Sequence, residues 1–256
     1  MLNEKVVVVT GGAGLLGQAF SRSIASENGI VIVADVDEDR AMEVCTKLSS
    51  DARSNSFVPE KVDITSKESL QALIQRIFKR FGRIDAVVNN AYPRNKNYGR
   101  HLEDVEYADF CENVNLHLGG YFLSTQQFAL FFKRQNFGHV INVSSIYGLV
   151  APRFEIYENT SMTMPVEYAA IKSALQHLSI YFMRYYKGTA LRFNCLVPGG
   201  ILDGQPRAFL EAYSKFSQTK GMLLPEDVGG ALVFLLSDQS RYVNGHNLVV
   251  DDGWSV

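Results

Sequence analysis

Short runs of β-branched residues alternate with helical patterns along the whole of this 256-residue chain. Such alternation predicts βαβ units, in which parallel strands form a sheet that helices cover. The seven candidate strands are residues 5–10, 30–34, 57–62, 84–88, 139–143, 191–197 and 247–250. No repeat or Pro- and Ser-rich linker interrupts them, so we predict one α/β domain over residues 1–256.

The clearest helix is predicted over residues 66–81, where apolar side chains form one stripe and Gly82 ends the pattern. Thr65 and Glu68 can form a capping box at its start. Further helices are predicted over residues 103–135, 168–186 and 225–236. The helices over 103–135 and 168–186 carry more aromatic residues than one side facing the sheet accounts for. The surplus apolar surface favours assembly between copies of the chain.

A glycine-rich turn, Thr-Gly-Gly-Ala-Gly-Leu-Leu-Gly from Thr10 to Gly17, joins the first strand to a helix. Glycine permits a tight turn and close approach to a pyrophosphate, whose charge the amides at the helix N-terminus stabilise. Asp35 ends the second strand, where a carboxylate can accept hydrogen bonds from the adenosine ribose and would repel a 2′-phosphate. The pattern therefore predicts NAD in preference to NADP, although Arg40 could reach a 2′-phosphate; the alternative is a glycine turn without a ligand.

Two pairs match the pattern Tyr-x-x-x-Lys, namely Tyr92 with Lys96 and Tyr168 with Lys172. Pro93 interrupts the first pair, so nothing aligns its side chains on a helix face. The second pair begins a strong helical pattern, in which positions i and i+4 are neighbours. There an ammonium group can lower the pKa of the phenol and make Tyr168 a usable acid and base, whereas the alternative is an ordinary surface pair.

With these residues in place, the chain resembles the short-chain dehydrogenases/reductases over essentially its whole length. The landmarks occur in order: the 11–17 turn, Asp35, Asp63-Ile64, Asn89-Asn90-Ala91, Asn115, Ser144-Ser145, Tyr168 with Lys172, Pro198-Gly199 and Asp251-Asp252-Gly253. The resemblance implies cofactor contacts from Gly11, Gly14, Leu16, Gly17, Asp35, Asp63, Ile64, Asn90, Ala91, Tyr168, Lys172, Pro198, Gly199 and Ile201. It also implies a homodimer or homotetramer. We predict a doubly wound sheet in the order 3-2-1-4-5-6-7.

The same resemblance implies a catalytic set of Asn115, Ser145, Tyr168 and Lys172. Tyr168 as phenolate would remove the proton of a substrate hydroxyl while the carbinol hydride moves to the nicotinamide. Ser145 would hold the substrate oxygen, and Lys172 would lower the pKa of Tyr168 and bond the nicotinamide ribose. Asn115 would hold a water that connects Lys172 to solvent.

Three segments are predicted to contact the substrate: residues 92–101, 151–167 and 202–224. The first is basic and aromatic, with Arg94, Lys96 and Arg100, and the second is a polar insertion between Ser145 and Tyr168. They favour a polar or anionic sugar derivative, and the chain is weakly similar to family members from bacterial surface-glycan and flagellin-sugar pathways. The alternatives are a 3-oxoacyl or small carbonyl reductase, an NAD-binding sensor or scaffold, and a Rossmann-type methyltransferase. Asp203 stands where the family often has a pyrophosphate-binding Thr or Ser.

Composition excludes several other classes of protein. A net charge of −2 and a pI of about 6.2 provide no basic field for nucleic acid or an anionic membrane. The first ten residues carry an apolar run of only four, too short for a signal peptide or a membrane span. The three cysteines lack metal-site spacing, so we expect no metal and a reduced, cytoplasmic protein.

Overall fold

Seven parallel strands form one sheet in the computed structural model, which describes residues 1–51 and 56–256. The strands are β1 (Val6–Thr10), β2 (Ile30–Asp35), β3 (Phe57–Lys61), β4 (Ala86–Asn89), β5 (Gly138–Val143), β6 (Leu191–Pro198) and β7 (Asn247–Val250). Their order across the sheet is 3-2-1-4-5-6-7, and every neighbouring pair is parallel. The predicted fold class is therefore confirmed, with the switch in strand order between β1 and β4.

Eight α-helices accompany the sheet within the described ranges. They are α1 (Leu15–Ser26), α2 (Glu38–Asp51), α3 (Lys67–Phe81), α4 (Tyr107–Val114), α5 (Gly120–Gln135), α6 (Val166–Tyr185), α7 (Arg207–Ser214) and α8 (Gly229–Leu236). The alternating side chains of β1 belong to two separate cores. Val6 and Val8 pack with residues of α3, α5 and α6, whereas Val7 and Val9 pack with α1, α2 and α8. The sheet is thus the middle of three layers.

The single helix predicted over residues 103–135 is wrong. A 3₁₀ turn at Leu102–Asp104 precedes α4, and a π-helical turn at Asn115–Gly119 separates α4 from α5. The apolar pattern runs through the π turn, so a regular helical period cannot reveal it. A π turn widens the helix locally, and such turns are frequent at functional sites.

Other differences concern the ends of helices. Ser66, not Thr65, caps α3, because its hydroxyl accepts a hydrogen bond of 3.2 Å from the backbone N–H of Ser69. The Thr65 hydroxyl donates to Asp63 instead. The helix predicted over 225–236 begins as a 3₁₀ turn at Pro225–Val228 and continues as α8.

A third apolar cluster lies outside the two main cores. It combines Ile156 and Tyr157 from the 151–167 insertion, Phe209 and Tyr213 from α7, and Trp254 near the C-terminus. All five are buried, so the insertion and the 202–224 segment are packed elements joined to the sheet. No described helix is both long and apolar enough to cross a membrane.

Candidate functional site

A cleft of about 1260 Å³ runs along the carboxyl ends of the strands. The glycine turn after β1 and Asp35 after β2 form one part of its wall. The beginning of α6 and the segments 92–101, 151–167 and 202–224 contribute the other part. This is the edge of an open α/β sheet at which ligands bind.

The glycine turn leaves space for a ligand to approach the backbone. Gly11 has φ of +61°, and a Cβ atom there would lie 2.7 Å from the Cα atom of Ala91, so only glycine fits. Gly14 caps α1 without a side-chain hydrogen bond, and the first turn of the helix carries no acidic residue. The free N–H groups of this first turn can therefore bind an anion such as a pyrophosphate.

Asp35 is held beside the turn by backbone donors. Its Oδ2 accepts a hydrogen bond of 3.1 Å from the N–H of Ala13, and its Oδ1 accepts one of 3.3 Å from the N–H of Asp37. The Asp35 carboxylate lines the cleft, and so does the exposed Arg40. Asp35, which would repel a 2′-phosphate, therefore faces the same space as Arg40, which could attract it.

Three predicted polar residues meet at the other part of the cleft. Ser145 follows β5, and Tyr168 and Lys172 are one turn apart on α6. The Nζ atom of Lys172 lies 5.3 Å from the centre of the Tyr168 ring and donates a hydrogen bond of 2.8 Å to the carbonyl of Val143. Titratable and hydroxyl groups are thus concentrated where a substrate oxygen could bind.

Burial controls the pKa values of this pair. It raises the pKa of Tyr168, against a smaller lowering by a hydrogen bond with Ser145. It also lowers the pKa of Lys172 to about 7. The net direction at Tyr168 is therefore upward, opposite to the lowering that the sequence predicted from Lys172, because both side chains lose water together.

Most residues predicted for the site line the cleft. They are Gly11, Gly14, Leu16, Asp35, Asp63, Ile64, Asn90, Ala91, Ser145, Tyr168, Lys172, Pro198, Gly199 and Ile201. Gly17 lies behind the turn instead, where a Cβ atom would be 2.3 Å from the carbonyl oxygen of Gly11. Asn115 is exposed on the π turn and is also absent from the cleft wall.

Two further rings contact this group of residues: Tyr92 belongs to the predicted 92–101 segment, whereas the sequence did not single out His117. Tyr92 stands where the family has glycine after Asn-Asn-Ala, and its ring centre lies 5.8 Å from that of Tyr168. His117 lies two residues beyond Asn115, with its Nε2 atom 3.5 Å from Nζ of Lys172. The replaced glycine was a usable signal for Tyr92, whereas a lone histidine in an apolar run gave none for His117.

The 92–101 loop presents one of its cations to the cleft. The guanidinium of Arg94 lies 5.0 Å from the ring centre of Tyr92 and 6.0 Å from that of Tyr98, and the two tyrosine hydroxyls share a hydrogen bond. Arg94 forms no ion pair with any described residue. Arg100 pairs with Asp109, and Lys96 does not line the cleft.

The insertion faces the cleft with fewer polar groups than its composition suggests. Among its polar residues from 153 to 159, only Tyr157 lines the cleft. Arg153 stacks on Phe216 and Trp254 instead, 4.3 and 5.5 Å from their ring centres. The rest of this wall combines the apolar or aromatic residues Met162, Met164, Phe209, Tyr213 and Met222 with the polar residues Thr163, Asp203 and Gln205. Among residues 1–51 and 56–256, no group of three His, Cys, Asp or Glu side chains could hold a metal ion.

Comparison with known proteins gives three informative similarities. A family model described as enoyl-(acyl carrier protein) reductase matches residues 12–255. The chain is 44% identical over 257 residues to post-translational flagellin modification protein A of Campylobacter coli, with 100% of both chains covered. It is 28% identical to a 3-oxoacyl-[acyl-carrier-protein] reductase of Thermotoga maritima, with 98% of each chain covered.

A solved structure extends these similarities. A short chain dehydrogenase from Leptospira borgpetersenii, crystallised with bound NAD⁺, has 29% sequence identity and a TM-score of 0.85. The alignment covers 100% of this chain and 94% of that one. The likeness therefore extends over the whole fold.

Proposed function

The chain belongs to the short-chain dehydrogenase/reductase family of oxidoreductases that act on CH–OH groups, and from this we propose its specific reaction. It interconverts a secondary alcohol and a ketone on a polar or anionic sugar derivative, with NAD preferred over NADP. One observation carries the proposal: Ser145, Tyr168 and Lys172 line the same cleft as the glycine turn and Asp35.

A nicotinamide cofactor held in the cleft would supply or accept the hydride in this reaction. In the direction of oxidation, the Tyr168 phenolate takes the proton of the substrate hydroxyl, and the hydride leaves the same carbon, so that a ketone forms. Ser145 donates a hydrogen bond to the substrate oxygen. The buried ammonium of Lys172 would oppose the upward shift that burial gives the pKa of Tyr168, because opposite charges attract strongly away from water.

The preference for NAD rests on Asp35. Its carboxylate faces the cleft while two backbone donors fix its orientation, so it can accept hydrogen bonds from a ribose diol. A 2′-phosphate beside it would bring two negative groups together. Arg40 is the competing influence on this preference.

The substrate class rests on Arg94 and on the flagellin-modification relative. An arginine that is stacked on two aromatic rings, without a carboxylate partner among the described residues, is free to bind an anionic group. The aromatic rings around it offer flat apolar faces to a sugar ring. Flagellin modification protein A, at 44% identity over the full length, adds support for a substrate of this kind.

A substrate panel with purified protein and NAD(H) tests this function through the absorbance of the reduced nicotinamide. The panel includes sugar phosphates, nucleotide sugars, 3-oxoacyl thioesters and simple alcohols. Loss of one charge-assisted contact predicts that Arg94→Gln lowers kcat/KM for an anionic sugar about 10- to 100-fold. The matched control is Lys96→Gln, which removes a cation of the same loop that does not line the cleft. Turnover confined to apolar alcohols, unaffected by Arg94→Gln, would contradict the sugar assignment.

A second candidate function is reduction of a 3-oxoacyl or other small carbonyl compound. The wall formed by Met162, Met164, Phe209 and Met222 favours it, since these side chains suit an acyl chain. The relative from Thermotoga maritima points to the same chemistry. The thioester arm of the panel separates the two functions.

We also propose that the enzyme is a homodimer or homotetramer. Four aromatic residues of α5 and α6, namely Phe128, Phe131, Phe132 and Phe182, are buried in the core. Three others, Phe122, Tyr181 and Tyr185, are exposed by 42%, 60% and 72% of their surface. These three residues supply an apolar surface for contact with a second copy of the chain.

A further inference from the structure

The ammonium of Lys172 is surrounded by aromatic rings. The ring centres of Tyr92, Tyr121 and Tyr168 lie 5.8, 5.7 and 5.3 Å from its Nζ atom. An ammonium group has three N–H donors, and the carbonyl of Val143 accepts one of them at 2.8 Å. The second polar atom beside it is Nε2 of His117, at 3.5 Å.

The π turn brings His117 to this position. Its side chain is only 1% exposed and lies edge-to-face against Tyr92 and Tyr121, with ring centres 5.0 Å from each. Two aromatic neighbours therefore fix the plane of the imidazole. Asn115, at the start of the same turn, is exposed and has no hydrogen bond from its side chain to any described residue. The turn thus directs His117 inward and leaves Asn115 outside.

We propose that His117 is a positioning residue that holds the Lys172 ammonium through its Nε2 atom. This inference rests on the proposed function, in which the charge of Lys172 supports proton transfer at Tyr168. It adds to the site a side chain of the π turn that the family resemblance did not imply.

The chemistry requires a neutral imidazole. Nε2 then carries a lone pair and accepts the N–H of Lys172, while Nδ1 carries the proton. Nδ1 is buried and has no partner among the described residues.

Electrostatics favour this protonation state. Burial, and to a smaller extent the charge of Lys172, hold the pKa of His117 well below its usual value, so the imidazole is neutral when Lys172 is protonated. The titratable groups around Lys172 are Tyr168 on its own helix, Tyr92 at the start of the 92–101 loop, Tyr121 on α5, His117, and Cys195 on β6. Burial raises the pKa of each of the other four groups, so these phenols and this thiol keep their protons. His117 is then the group that offers an unprotonated nitrogen to Lys172.

Nuclear magnetic resonance on the whole protein tests the proposal without a substrate. In wild-type protein labelled with ¹⁵N-histidine, we expect His117 at pH 7 to be the neutral tautomer with its proton on Nδ1; the signal is assigned by its loss in His117→Gln. Labelled lysine gives the pKa of Lys172. Loss of an acceptor for a charged donor should lower this pKa by about 1 in His117→Phe, which keeps a ring between Tyr92 and Tyr121.

Two further variants distinguish the role of His117 as a hydrogen-bond acceptor from its role in packing. His117→Gln places an amide oxygen near the former Nε2 atom and should restore the pKa of Lys172. Asn115→Ala should leave it unchanged. Three results would each overturn the proposal. They are a His117 tautomer protonated on Nε2, a pKa of Lys172 that His117→Phe leaves unchanged, and a change in that pKa in Asn115→Ala as large as in His117→Phe.

Kinetics with any substrate that the panel identifies provide the second readout. In the direction of reduction, His117→Phe should move the alkaline fall of kcat to lower pH and leave KM nearly unchanged, and His117→Gln should reverse this change. If no substrate is turned over, the proposed function fails, whereas the tautomer and the pKa of Lys172 still decide the position of His117.

Discussion

Replacement of Gly17 by alanine tests how the cofactor turn is built. Gly17 is the third residue of α1 and does not line the cleft. A Cβ atom there would lie 2.3 Å from the carbonyl oxygen of Gly11 and 2.8 Å from Cα of Gly12. These are backbone atoms of the turn itself, so the methyl group cannot be accommodated by rotation of a side chain.

The expected magnitude follows from this overlap. Ordinary C···O contacts begin at about 3.3 Å, so the turn and α1 must separate by about 1 Å. Overpacking of this kind costs about 1–3 kcal/mol, and the better helix propensity of alanine offsets about 1 kcal/mol of it. We therefore expect the free energy of unfolding to fall by up to about 2 kcal/mol and the affinity for NADH to fall at least about tenfold.

Urea unfolding followed by circular dichroism measures the first quantity, and NADH fluorescence titration measures the second. The matched control is Gly230→Ala in α8, where a Cβ atom meets nothing within 4 Å. This variant should bind NADH normally and gain up to about 1 kcal/mol from helix propensity. Wild-type stability together with wild-type NADH affinity in Gly17→Ala would refute the packing argument.

Three other predictions concern the reaction, the cofactor and assembly. Tyr168→Phe removes only the titrating hydroxyl, so turnover should fall at least about 100-fold while the Kd for NADH stays within about twofold; full activity would show that the acid and base lie elsewhere. Wild-type protein should bind NADH more tightly than NADPH in fluorescence titrations. Asp35→Asn should lower the ratio of the Kd for NADPH to the Kd for NADH about tenfold, whereas Asp37→Asn, outside the cleft, should leave this ratio unchanged. Tighter binding of NADPH to the wild type would contradict this preference. Tyr185→Lys should weaken assembly in sedimentation experiments, unlike Tyr242→Lys, although Tyr242 is 85% exposed; a monomeric wild type at micromolar concentration would argue against assembly.

Much of the fold could be predicted from local patterns. Alternating runs and turn residues predicted the seven strands, and the strand, glycine turn and acid predicted the wall of the cleft near β1 and β2. Tyr168 and Lys172 could be paired because four residues separate neighbours along an α-helix. Each of these features depends on a period or a backbone conformation that a short stretch of sequence determines.

The contacts of the site depended on tertiary structure. The π turn broke the regular helical period, so Asn115 lies outside and His117 reaches Lys172. Tyr92 and Tyr168 are 76 positions apart in the sequence. They come together because the segment after β4 and the start of α6 lie at the same edge of the sheet. The rise in the pKa of Tyr168 on burial is also an effect of tertiary structure. Sequence spacing describes neighbours along a regular element, whereas the loss of water and the approach of distant segments arise only when the chain packs.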